Sequence, residues 1–325
     1  MTTPATGAHD APRLAHLPVS LFSIVMGLAG LTLAWGKAQH VGGGSALIAE
    51  TLRLLATATY LLLLLLYGLK LVRHADAVKA ELAHPVRINF FPALSIGLIL
   101  LANTWTPDAP LLARWMWGTG CAVHLLFTLN AISSWIHHTH YDIRHANPAW
   151  FIPVVGNILV PIAGVHHAPA DLSWFFFSIG LVFWLPLMTI VLYRLFFHEP
   201  LPARLAPTLF ILIAPPAVGF LSYVTLTGAI DAFARVLYFA ALFLTLLLAS
   251  NALRFFRLPF FISAWAYSFP LAAMTIATFE MSARNGSALL TGLGWLLLTV
   301  LSAVVCVLVL KTVIAAARGR ICVPE

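Results

Sequence analysis

Ten long apolar runs, separated by short polar breaks, take up most of the chain: residues 18–36, 46–72, 88–105, 112–136, 149–167, 172–197, 206–228, 231–251, 259–279 and 288–316. A bilayer core of about 30 Å takes about 20 apolar residues per helix, so each run predicts a membrane-spanning helix. Every second run is interrupted. The odd-numbered runs carry Gly27 and Gly30; Pro92 and Gly97; Pro153, Gly156, Pro161 and Gly164; Pro215, Pro216 and Gly219; and Pro270. The even-numbered runs are rich in leucine and nearly unbroken, as at 61–66 and 242–248, with Pro186 the exception. Proline inside a helix removes a backbone donor and leaves a carbonyl without its partner, which is tolerated at membrane depth only where protein or water can satisfy it. The interrupted helices therefore belong inside. Five alternations in phase predict five hairpins, each an inner broken helix and an outer straight one, in a quasi-fivefold ring around a pathway.

Composition supports this picture. With 61% hydrophobic residues, 9% charged residues and a mean hydropathy of +0.94, the chain has too little polar surface for a water-soluble globule. The expected class is an all-α integral membrane protein with a single membrane domain, residues 18–318, between polar tails at 1–17 and 319–325. The first tail, with Pro4, Gly7, His9, Asp10 and Pro12, reads as disordered. The first run exceeds the roughly 7–15 apolar residues of a cleavable signal peptide, and Arg13 is its only basic flank.

The net charge of +7 would suggest nucleic acid in a soluble chain, but here the basic residues lie in short loops. Thirteen of the 18 Lys and Arg fall on the side that holds both termini, and the positive-inside rule makes that side cytoplasmic. Trp35, Trp105, Trp115, Trp117, Trp150 and Trp174 cluster near helix ends, as interfacial aromatics do. Cys121, Cys306 and Cys322 show no metal or redox spacing and read as inert thiols. No metal, cofactor or catalytic residue is expected.

All 11 acids map to tails, loops or helix ends, so no carboxylate is expected at the midplane. Proton-coupled and cation carriers place ionisable groups in the membrane interior, and a carrier site would carry paired charges near the midplane. A pathway lined by Phe, Gly, Ser, Thr and Pro suits passive movement of small anions, helped by backbone N–H groups at helix breaks. The rival is a membrane enzyme: His137, His138, His140 and His145 resemble the histidine boxes of di-iron desaturases and hydroxylases. Such sites need several boxes converging on one side, and the other pair, His166 and His167, emerges on the opposite face. His124 and Asn130 read as interhelical hydrogen-bonding groups, and Asn157 either caps broken backbone or lines the pathway.

Five stretches carry a resemblance to a known family: Phe22 to Trp35, His84 to Pro92, Asn147 to Pro153 leading to Asn157, Ala206 to Pro216, and Trp265 to Pro270. They resemble the slow-type anion channel family, which also bears the names tellurite resistance and C4-dicarboxylate transport, in its bacterial branch. The resemblance spans roughly residues 15–318. It implies ten helices in five hairpins, a pore lined by the odd helices, a homotrimer with one pore per subunit in the bacterial inner membrane, and a ninth-helix phenylalanine that closes the pore. Phe269 matches that gate. Ser23 stands where the bacterial relatives have glycine, and Pro270 directly follows the gate. The expected pore-lining residues are Phe22, Ser23, Gly27, Phe91, Pro92, Pro153, Asn157, Pro161, Pro215, Pro216, Phe220 and Pro270, with Thr225 and Ser268 as candidate lumen hydroxyls. The expected partners are inorganic or small organic anions and the lipid bilayer. The family names leave open a carrier for C4-dicarboxylates or an exporter of tellurite or sulfite.

Overall fold

The computed structural model describes residues 13–137 and 141–323. The expected tail residues 1–12, together with His138, His140 and residues 324–325, lie outside the described residues. The described chain is helical, with ten spans long and apolar enough to cross a membrane: Val19–Val41, Ala46–Arg73, Arg87–Trp105, Pro110–His137, Pro148–His167, Ala170–Phe197, Ala206–Thr227, Ala232–Ser250, Ile262–Asn285 and Ala288–Ala317. We refer to them as the first to tenth spans. Most ends fall within two residues of the apolar runs. The ninth span continues to Asn285 because Glu280 and Arg284 pair on its surface (2.5 Å) and Glu280 also meets Lys37 of the first span.

Burial separates the two sets of spans. Between 61% and 83% of each odd span is buried within the subunit, against 28% to 33% of each even span. The first span packs on the third, the third on the fifth, the fifth on the seventh, the seventh on the ninth and the ninth on the first, which closes a five-membered inner ring. Each even span lies outside its hairpin partner. Its outer face carries exposed Leu, Phe and Val, such as Leu61, Leu65, Phe243, Leu246 and Val300, as a lipid-facing surface requires. Cys306 is exposed on the tenth span, whereas Cys121 is buried.

The two sets also begin differently. The second, eighth and tenth spans start as α-helix behind a side-chain cap, Ser45, Asp231 and Ser287 respectively, each accepting from a backbone N–H of the first turn. All five odd spans instead open in 3-10 winding: Val19–Leu21, Arg87–Phe90, Pro148–Trp150, Ala206–Ile213 and Ile262–Tyr267, with a second such turn at Gly156–Leu159. The prolines follow from this. Pro92 and Pro161 are the first residues of the α segments Pro92–Trp105 and Pro161–His167, and Pro215 and Pro216 sit in the first turn of Ala214–Thr227. At such positions a missing N–H costs least, so these prolines mark a change of winding rather than a mid-helix break. Pro186 is the interior proline of the sixth span, on its exposed face.

The fifth span is the most interrupted, and its freed carbonyls are satisfied by neighbours. Thr128 of the fourth span donates to the Pro153 carbonyl at 2.6 Å and Asn157 donates to the Val154 carbonyl at 2.7 Å, while Trp117 Nε1 adds a second bond, at 3.0 Å, to the Val160 carbonyl beside the helical one from Gly164. Ser222 of the seventh span donates to the Ile158 carbonyl. Irregular backbone is tolerated at this depth on that condition. Glycine lets the spans approach closely: a Cβ on Gly180 would lie 2.7 Å from the Ile158 backbone nitrogen.

At the end of the bundle that holds both termini, the short helix Ala75–Ala83 follows the second span. It carries Glu81, buried with Lys70 at 2.6 Å; Tyr67 donates to the same carboxylate at 2.7 Å and Lys70 donates to the Leu17 carbonyl at 2.8 Å. The sequence pattern left this segment as a loop. Arg13–His16 forms a 3-10 turn, and the buried Leu17 packs beneath it.

Candidate functional site: a lumen and its vestibule

The inner ring encloses a narrow lumen of about 70 Å3 to which all five odd spans contribute. Ser20, Ser23 and Met26 face it from the first span, Phe90, Ala93 and Ile96 from the third, and Ile152, Val155, Gly156 and Leu159 from the fifth. The seventh gives Ile211, Pro215 and Val218, and the ninth gives Ser263, Ala266, Phe269 and Pro270. The spacing is about three residues in every span. The first lumen-facing residues of the first, third, seventh and ninth spans lie in the 3-10 turns, where i and i+3 eclipse, and deeper ones such as Met26, Ile96, Val218 and Phe269 lie in the α segments that follow.

Among the described residues no ionisable side chain lines this lumen. Two of its three serine hydroxyls donate to nearby carbonyls: Ser23 to the Ser20 carbonyl at 2.6 Å and Ser263 to the Arg204 carbonyl at 2.5 Å. Deeper in, the wall is Met26, Ile96, Ile158, Val218 and Phe269. An apolar constriction of this kind holds water poorly and blocks ions by dewetting. The Phe269 ring is partly buried and stands beside Gly30, where an added Cβ would come within 3.5 Å of it. Its helix is fixed at close range: a Cβ on Gly27 would lie 2.3 Å from Ser268 Oγ and 2.8 Å from Trp265, whose Nε1 donates to Thr312 of the tenth span at 2.9 Å.

Of the residues expected along the pore, Ser23, Pro215, Pro270 and Phe269 face the lumen. The others stand in its wall or behind it. Phe22 turns back to Tyr60 and Tyr67 of the second span, Phe91 to Tyr67 and Phe127, and Phe220 to Tyr238. Gly27 forms the contact with the ninth span, and Pro92, Pro153, Pro161 and Pro216 are buried at changes of winding. Asn157 is fully buried and bonds the Val154 carbonyl and Thr128, so it caps broken backbone. Ser268 bonds the Trp265 carbonyl and Thr225 the Leu221 carbonyl. The lumen instead takes Phe90 rather than Phe91, and Gly156 rather than Asn157. His124 bonds Ser95 at 2.9 Å behind Gly156, while Asn130 is exposed.

Toward the termini the lumen widens into a vestibule of about 1240 Å3, with Ser20, Phe90 and Ser263 bordering both spaces. Its described walls include Lys70, Arg87, Arg204, Lys311, Arg318 and Arg320, against one acid, Glu81, which Lys70 neutralises. Nearby, burial pushes the Cys322 thiol up, against the opposing pull of Arg13 and Lys70. Among the described residues no other carboxylate lines either space. Glu280 is tied to Lys37 and Arg284, and Asp108 and Glu50 to Arg53.

The histidine pairs do not converge. His137 bonds the Ser133 carbonyl and His145 packs into the Asp142 turn, where the Arg144 backbone N–H holds the Asp142 carboxyl below its usual range. His167 lies at the far end of the bundle against Thr106 and Trp117.

The family model described as SLAC1, voltage-dependent anion channel, matches residues 16–313. The chain belongs to this family. It is 30% identical over 316 residues to the S-type anion channel SLAH3 of Arabidopsis thaliana, covering 94% of this chain and 49% of the relative. It is 26% identical over 315 residues to the guard cell S-type anion channel SLAC1 of the same plant, covering 94% of this chain and 57% of the relative. A tellurite resistance protein TehA homolog of Haemophilus influenzae is 27% identical over 271 residues, 79% of each chain. The chain thus spans about half the length of the plant relatives. The family comprises anion channels and transporters rather than enzymes.

Proposed function

We propose that the protein is a gated channel that passes small monovalent anions down their gradient, with the ring of odd spans as its pore and Phe269 as its gate. The observation that carries this reading is the lumen itself: among the described residues five spans line it without an ionisable group, Phe269 is one of its apolar lining side chains, and it opens onto a vestibule rich in Lys and Arg. A lumen without fixed charges has no paired midplane site for a coupled carrier, while the vestibule raises the local concentration of anions. The names of the plant relatives support the same reading.

The channel domain in this reading is residues 18–318. The vestibule faces the cytoplasm, because thirteen of the 18 Lys and Arg fall at that end. The protein works as a homotrimer with one pore per subunit in a bacterial inner membrane, in keeping with the resemblance to the bacterial branch.

Reversal potentials in planar bilayers under gradients of chloride, nitrate and malate test the proposal. A current that follows the chloride or nitrate gradient and ignores a proton gradient is expected. Saturating malate flux coupled to a second gradient would replace the channel with a carrier.

A further inference from the structure

The vestibule is far larger than the passage of chloride requires, and its charge is far higher than an uncharged lumen would match. Among the described residues that line this space of about 1240 Å3, six are Lys or Arg and one is an acid; Glu81 neutralises Lys70, while Lys311, Arg318 and Arg320 stand exposed. They come from well-separated parts of the chain: Lys70 ends the second span, Arg87 begins the third, Arg204 precedes the seventh, Lys311 lies in the tenth and Arg318 and Arg320 follow it. Folding has gathered them at one mouth.

Such a field acts on an anion in proportion to its valence. A potential that enriches a monovalent anion about tenfold enriches a trivalent one about a thousandfold. Guanidinium groups also match phosphate oxygens in bidentate pairs. The site below the vestibule cannot pass such an ion, because the lumen offers about 70 Å3 of apolar space.

We propose that the vestibule binds a soluble polyvalent phosphate anion, of the triphosphate class, which lodges above the ring of Ser20, Phe90 and Ser263 and blocks the pore from the side of the termini. Arg318, Arg320 and Lys311 hold the outer phosphates. All three are exposed, so glutamine at these positions leaves the packing intact. The blocking step rests on the channel reading given above; the binding step does not.

Purified full-length protein, in detergent without anionic lipid, is titrated calorimetrically with inorganic tripolyphosphate, with ATP and with chloride as control. The expected result is saturable tripolyphosphate binding that weakens about tenfold or more in the Lys311→Gln/Arg318→Gln/Arg320→Gln variant and falls with added salt. ATP binding as tightly as tripolyphosphate assigns recognition to the phosphates. Absence of binding, or equal binding to the triple variant, overturns the site. In bilayers, tripolyphosphate is added to one side at a time. Voltage-dependent block from the vestibule side alone is expected, and chloride current untouched from both sides overturns the block while leaving the channel standing. If no anion current can be measured at all, the channel reading fails and the calorimetry still decides the site.

Discussion

Replacing Phe269 by alanine should open the pore. After Trp265, the Phe269 ring is the largest group of the ninth span lining a lumen of about 70 Å3, and removing it adds on the order of 100 Å3, room for about three waters at roughly 30 Å3 each. In the gate reading, apolar contact holds the ring in place. A fully buried phenylalanine gains about 1.5–3 kcal/mol, and this ring is only partly buried, so about 1–2 kcal/mol is available to hold it. Losing that amount shifts an equilibrium or a barrier by a factor of about 5–30, and chloride conductance should rise by that factor. The assay is single-channel or macroscopic chloride current from protein of matched surface amount, with a leucine variant as an intermediate case. The fold should survive, because the ring fills a lumen rather than the packed wall; an unchanged elution volume and melting temperature check this. Currents equal to wild type at equal protein would refute the gate, and with it the argument that an apolar ring sets the barrier.

Thr128→Val keeps the shape of the side chain but removes the donor to the buried Pro153 carbonyl; it should cost about 1–3 kcal/mol, read as a lower melting temperature in detergent. Gly27→Ala places a methyl 2.3 Å from Ser268 Oγ and 2.8 Å from Trp265, which should cost about 1–3 kcal/mol by overpacking and alter current by pushing the gate helix; a variant with unchanged melting and current would contradict the tight first-to-ninth contact. Glu81→Gln leaves Lys70 buried without its counter-charge and should lose about 3–5 kcal/mol, whereas Lys70→Met combined with Glu81→Leu should lose much less; chemical or thermal denaturation of both decides whether the pair acts as a unit.

The ring of broken and unbroken spans was legible in the sequence, because lipid demands long apolar runs and because glycine and proline fell in every second one. The phase of the lumen was not. Proline positions indicated where the backbone changes, yet they say nothing of which side chain faces the axis. Reading Phe91 and Asn157 toward the pore was a step of one residue away from Phe90 and Gly156, and one residue turns a side chain by about 100° in an α-helix. The 3-10 openings compound this, since they replace a repeat of 3.6 by one of three. Phe22 and Phe220 are expected along the pore, but tyrosines on the even spans pack against them. The vestibule escaped notice for a different reason: its cations are dispersed from Lys70 to Arg320 and meet only in three dimensions. Glu81 looked solvated because its helix is short and polar, and Lys70 lies eleven positions away.

The eight-residue 3-10 stretch Ala206–Ile213 has a mechanical corollary. A residue advances about 2.0 Å and 120° in that winding, against about 1.5 Å and 100° in an α-helix. Rewound as α-helix, the stretch would shorten by about 4 Å and swivel its leading end by roughly 160° relative to the rest. Ile211 would leave the axis and another side chain would take its turn there, with no tilt of any rod. A change of winding in this one stretch would therefore exchange the side chain that the seventh span turns to the axis.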